Sequence, residues 1–108
     1  MQTAILVHCN SRIRGSLREA IASDAKLEDY HLYVERRKKS GRNPGWTKLR
    51  STEGDSGVVN LEWDKATKTL TARVVSRSRK VPALTIGLFV NYLFDRHVRR
   101  IRAITILP

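Results

Sequence analysis

Two runs that alternate apolar and polar residues, Val58 to Trp63 and Thr69 to Arg77, flank the short segment Asp64-Lys-Ala-Thr-Lys68. Successive side chains of a strand point to opposite faces, so an antiparallel pairing of these runs either brings their apolar positions together or fails. Setting Trp63 opposite Leu70 also sets Leu61 opposite Ala72 and Val59 opposite Val74. Every apolar residue of that face finds a partner, and a slip of one residue would destroy the match. The chain must therefore build antiparallel sheet, and the other face of this hairpin carries Asn60, Glu62, Thr71, Arg73 and Arg77.

The remaining segments extend this sheet and cover it. Ala4 to Val7 is a short apolar run that reads as a first strand. Ser16-Leu-Arg-Glu19 has the form of a capping box, and Leu17, Ala20, Ile21 and Ala25 are spaced for one apolar stripe on a short helix ending near Leu27. From Tyr30 the period changes to two, with Leu32 and Val34 alternating with His31, Tyr33 and Glu35. A basic hairpin loop, Arg36 to Gly45, then leads through an Asn43-Pro44-Gly45 turn into a strand from Trp46 to Ser51. Pairing Leu32 with Leu49 places His31, Tyr33 and Glu35 across from Arg50, Lys48 and Trp46 on the face opposite the core.

Pro82 suits the first turn of a helix running to about His97, in which Ile86, Phe89, Val90, Leu93 and Phe94 gather on the core side. Leu84, Leu88 and Tyr92 recur at spacing four on the side expected to face solvent, which makes them either a second core layer or a homodimer contact. Ile101 to Leu107 is a β-branched run that reads as a last strand beside the first. The order β-α-β-β-β-β-α-β predicts one α+β domain over residues 1–108, with a mainly antiparallel sheet of four to six strands and two helices on one face. A chain of 108 residues suffices for one such core.

Charge then points to a partner. Lys and Arg number 21 against 10 Asp and Glu, a net +11, which favours polyanions. Residues 1–29 are neutral, residues 30–50 carry +6, residues 51–64 carry −4, residues 65–80 carry +6 and residues 81–108 carry +3. The excess therefore sits in the two hairpins and near the end of the last helix. If both hairpins share a sheet, its face opposite the core shows Tyr33 and Trp46 among Lys48, Arg50, Arg73 and Arg77. Cations neutralise phosphates and rings stack on splayed bases, so this pattern suits a single strand or a nucleic-acid backbone. The expected phosphate contacts are Arg36, Arg37, Lys38, Lys39, Arg42, Lys48, Arg50, Arg73 and Arg77, with Tyr33 and Trp46 as stacking rings. The order of elements resembles that of Whirly-type and positive-cofactor-type single-strand binders, without a shared sequence motif. A non-enzymatic nucleic-acid binder, of DNA or RNA, is the leading expectation, and a module docking an acidic protein is the alternative. Arg96, His97, Arg99, Arg100 and Arg102 form a second basic cluster, placed where cations favour the negative end of a helix dipole.

Other chemistries find less support. Ile5-Leu-Val-His8-Cys9 followed by Arg12, Arg14 and Ser16 resembles the strand-to-loop signature of cysteine phosphatases, which would make Cys9 the nucleophile and Arg14 its phosphate ligand. The spacing puts Gly15 where that family needs arginine, so a buried strand-end cysteine is expected instead. His8, His31 and His97 are scattered, no metal spacing occurs, and neither metal nor cofactor is expected. One cysteine, an N-terminus without a basic leader and apolar runs shorter than a membrane span together suggest a cytoplasmic protein that does not enter membranes.

Overall fold

The computed structural model describes residues 2–38, 46–53, 57–77 and 81–108. Its strands are β1 (Gln2–Cys9), β2 (Leu32–Lys38), β3 (Trp46–Ser51), β4 (Val58–Asp64), β5 (Thr69–Val75) and β6 (Ile101–Leu107), with helices α1 (Leu17–Ala22) and α2 (Ala83–His97). All six strands form one antiparallel sheet in the order β2-β3-β4-β5-β1-β6. The β4–β5 register is the expected one, with Trp63 opposite Leu70, Leu61 opposite Ala72 and Val59 opposite Val74. Asp64 closes this hairpin by accepting hydrogen bonds from the amides of Ala66 and Thr67 at 2.9 and 3.3 Å. The last strand pairs beside the first, and β3 joins the two hairpins by pairing with β4.

One face of the sheet carries the core. Ile5, Val7, Leu49, Val59, Leu61, Leu70, Ala72 and Val74 are buried there together with Leu17 and Ile21 of α1 and Phe89, Tyr92 and Leu93 of α2. Burying an aliphatic or aromatic side chain of this size contributes about 1.5–3 kcal/mol, so this layer dominates stability.

Three sequence expectations are corrected. The first hairpin pairs Val34, not Leu32, with Leu49, its register shifts between Val34 and Arg36, and Arg36 to Lys38, expected in the loop, continue β2 opposite Lys48 to Trp46. The slip of two preserves which face Tyr33 occupies, but the bulge at Glu35 inverts the parity beyond it. Helix α1 stops at Ala22, because the Ser23 hydroxyl donates to the Glu19 carbonyl at 2.7 Å and Asp24 accepts from the Lys26 amide. These local side-chain bonds compete with the helix ladder. Leu27 enters the core from a separate 3₁₀ turn, Leu27–Tyr30, while Ala25 is exposed. Finally, α2 is rotated from the expected setting: Tyr92 is fully buried and Phe94 is 54% exposed.

The burial of Tyr92 follows from its polar partners. Its hydroxyl donates to Asp24 Oδ2 at 2.8 Å and lies 2.8 Å from His97 Nε2, while Arg96 holds Asp24 through two hydrogen bonds of 3.1 and 3.2 Å. A phenol can enter a core when its oxygen is satisfied, and leaving Phe94 outside removes no polar bond. This cluster fastens the segment after α1 to the end of α2. Burial opposes ionisation of Asp24, but hydrogen bonds from Arg96, the Lys26 amide and Tyr92 outweigh it and hold the carboxyl at about 2, below its usual 3.8.

A depressed carboxyl stabilises the fold above its unfolded value and ceases to do so as pH falls through its folded value. Asp24→Asn should therefore cost about 2 kcal/mol at pH 7. Chemical denaturation of both proteins across pH should show that difference shrinking between about pH 4 and pH 2.

Candidate nucleic-acid interface

The sheet face opposite the core bears rows of side chains that run across the strands. One row is Arg36, Lys48, Asn60 and Arg73, on β2, β3, β4 and β5, and it continues to Ala4 on β1 and Leu107 on β6. On one side of it lies the row Tyr33, Arg50, Val58 and Val75; on the other, Trp46, Glu62, Thr71 and Leu6. Rows on one face are about 6.5 Å apart, two residues along a strand. A line of cations thus has a tyrosine on one flank and a tryptophan on the other.

No helix of the described residues covers this face. Neither Tyr33 nor Trp46 belongs to the core cluster, whereas Trp63, on the opposite face, packs against it. Two adjacent depressions of about 360 and 350 Å³ share Lys48 and Asn60. The first is completed by Arg36, Trp46, Glu62 and Arg73, the second by Arg50, Val58, Val75 and Arg77. The face is electrically uneven: its Lys and Arg residues lie on β2 to β5 and beyond β5, while β1 and β6 contribute Gln2, Ala4, Leu6, His8, Ala103, Thr105 and Leu107.

Two carboxylates accompany the cations. Arg50 Nε donates to Glu35 at 2.9 Å and Arg73 Nη1 donates to Glu62 at 3.0 Å. The Arg50 hydrogen bond is the main reason the Glu35 carboxyl is held below its usual value. Among the described residues, Arg36, Lys48 and Arg77 have no carboxylate within ion-pair distance. Five cations against two carboxylates leave this part of the face at +3. Like charges opposite each other on neighbouring strands, as Arg36 and Lys48 are, cost stability unless an anion bridges them.

The sequence-derived site is therefore assembled in part. Tyr33, Arg36, Trp46, Lys48, Arg50, Arg73 and Arg77 come together on the uncovered face. Arg37 does not. The bulge at Glu35 turns it toward α1, where it bonds Glu19, which also pairs with Arg18 at 3.1 Å. Lys39, Arg42 and the Asn43-Pro44-Gly45 turn lie outside the described residues, as does the side chain of Lys38. Asn60 is the residue that charge counting missed; the β4 alternation placed it on this face, but nothing in composition marked it as central. Of the supposed subunit contact, Tyr92 is core, Leu88 packs partly against it, and Leu84 is 45% exposed.

Cys9 is the buried strand-end cysteine that the sequence suggested. Cys9 is 5% exposed, and burial raises its thiol above the usual value despite the nearby Arg100. Gly15 stands at φ +70°, a left-handed conformation that disfavours the arginine a phosphatase loop would need there. Among the described residues no group of His, Cys, Asp and Glu is placed to hold a metal, and no helix is long and apolar enough to cross a membrane. Comparison with protein-family models, with curated proteins and with solved structures finds no match to this chain.

A buried, protonated thiol should resist alkylation in the folded protein. Iodoacetamide at neutral pH should modify Cys9 only at the rate at which the chain opens, and denaturant should release it to full reactivity. Rapid stoichiometric modification without denaturant would contradict this placement.

Proposed function

We propose that this protein binds nucleic acid, by way of phosphate neutralisation on the uncovered sheet face and stacking of unpaired bases on Trp46 and Tyr33. One observation carries the reading: the row Arg36, Lys48, Asn60 and Arg73 is flanked by an aromatic ring on each side and is covered by no helix of the described residues. Ammonium and guanidinium groups supply sequence-independent attraction, and a ring presented beside them accepts any base by its π-face. Asn60, between Lys48 and Arg73, adds an amide that donates and accepts within reach of the same strand. A cytoplasmic protein working without a cofactor belongs to the same reading, and self-association through Leu84 would double the binding face.

Fluorescence anisotropy with single- and double-stranded oligonucleotides at two salt concentrations tests the proposal. Single strands should bind more tightly, and log K should fall with log salt at a slope of about −0.7 per phosphate engaged. Lys48→Gln should make that slope shallower by roughly one contact, and Trp46→Ala should cost about 1–3 kcal/mol per stacked base with the slope unchanged. Glu35→Gln and Glu62→Gln, each freeing a guanidinium, should tighten binding. Absence of binding at low salt, or binding indifferent to Lys48 and Trp46, would overturn the reading. Copurification with an acidic protein in place of nucleic acid would overturn it in favour of a protein-docking module.

A further inference from the structure

A second basic feature lies at the end of β1, away from the rows of Trp46 and Lys48. There the chain turns from Cys9 through Asn10–Arg14 toward α1, and beside it α2 ends in the 3₁₀ turn Val98–Arg100. The two segments are tied by backbone geometry. The Asn10 amide donates to the Arg100 carbonyl at 3.0 Å, and its side-chain amide donates to the Arg99 carbonyl at 2.9 Å. Lys68, from the β4–β5 turn, donates its ammonium to the Ser11 carbonyl and holds the loop from the other side. Between the segments opens a cleft of about 680 Å³ lined by Arg12, Arg14, Arg99 and Arg100 together with Asn10, Ser11 and Ile13.

The charge in this cleft is unbalanced. Among the described residues no carboxylate lines it, and Arg12, Arg14 and Arg99 have no ion-pair partner there. Arg100 is held by a neutral group: its Nη1 donates to His97 Nδ1 at 2.7 Å, and the other ring nitrogen of His97 faces the Tyr92 hydroxyl. Asp24, the carboxylate nearest this network, is engaged by Arg96. The buried Asp24–Tyr92–His97 chain thus ends by aiming an uncompensated guanidinium. Four guanidinium groups held about one cavity by a fixed backbone repel one another, and an anion removes that cost.

The lining also says what kind of anion. Guanidinium forks match phosphoryl oxygens in pairs, and four of them exceed what a single carboxylate can engage. Among the described residues no aromatic ring lines the cleft and Ile13 is the one strongly apolar residue there, so a base or other flat ring would find no stacking partner among them. The volume lies within the ~300–1,000 Å³ typical of small-molecule sites. We infer that this cleft is a binding site for linked phosphoryl groups of the di- or triphosphate class, either free or as the 5′ end of a nucleic acid. The inference does not depend on the sheet-face reading.

Isothermal titration of the full chain with sodium tripolyphosphate at low salt tests it. Tripolyphosphate should bind, and Arg12→Gln and Arg99→Gln should each weaken binding by about tenfold or more, the size expected for a lost charged hydrogen bond. Arg102→Gln, an equal loss of charge outside the cleft, should change it by less than about twofold, because it removes a charge without removing a ligand. Far-UV circular dichroism and thermal melts confirm that each variant is folded. Failure of tripolyphosphate to bind, or an equal loss in Arg102→Gln, overturns the inference, whatever oligonucleotides do at the sheet face. Two oligonucleotides of one sequence, with a 5′-triphosphate and with a 5′-hydroxyl, then distinguish the source. Preference for the triphosphate end that Arg99→Gln abolishes assigns the site to nucleic-acid ends, and equal binding of both assigns it to free polyphosphate.

Discussion

The pairing of β3, β4 and β5 fixes everything else about this molecule. Once Leu49, Val59 and Val74 stand in one line across the sheet, their neighbours two residues along each strand must join the core, and the residues between must face away. The same register that buries Leu61 beside Ala72 therefore sets Lys48 beside Asn60 and Asn60 beside Arg73. Core and cation-bearing face are two sides of a single hydrogen-bonded ladder. A change that disturbed the register would lose the packing and the cation row together, so the fold's stability guards the arrangement of the face.

The helices complete one side of that ladder and leave the other uncovered. Leu17 and Ile21 of α1 and Phe89 and Leu93 of α2 supply the apolar cover, and a polar cluster locks it in place. Asp24, Tyr92, Arg96 and His97 join the segment following α1 to the last turn of α2, two regions far apart in sequence. Such a network is stabilising only because its members satisfy one another. Burial and the neighbouring Arg100 hold the His97 imidazole below its usual value, so it serves as a neutral hydrogen-bonding group within the network.

Much of the fold was legible because alternation and spacing are local properties. The β4–β5 register, the bounds of β3 and β6, and the place of β6 beside β1 could be read from Val59, Leu61, Leu70, Val74 and the run at Ile101. In two of the failures a tertiary or side-chain hydrogen bond overruled a periodic pattern. Tyr92 sits among polar residues on a helical wheel, yet it is buried because Asp24, 68 positions earlier, meets its hydroxyl. The end of α1 depended on Ser23 reaching back to Glu19. Arg37 was expected in the basic loop and lies instead on β2 toward α1, because a bulge leaves no mark in hydrophobic periodicity when the residue inserted, Glu35, is polar. Charge counting found the cations of the candidate face but could not separate Arg50 and Arg73, each beside a glutamate, from Arg36 and Lys48. It also could not show that Arg12 and Arg14, in the electrically neutral first 29 residues, meet Arg99 and Arg100.

The uneven distribution of charge across the uncovered face has a consequence for encounter in solution. With Lys and Arg gathered over β2 to β5 and none among Gln2, Ala4, Leu6, His8, Ala103, Thr105 and Leu107 of β1 and β6, this face carries an electric moment directed across its strands. A polyanion drifting within about a Debye length, roughly 8–10 Å at ordinary salt, experiences a torque as well as an attraction. Collisions that begin at random angles are thereby biased toward one orientation before any contact forms, and added salt should erode that bias sooner than it erodes the contacts themselves.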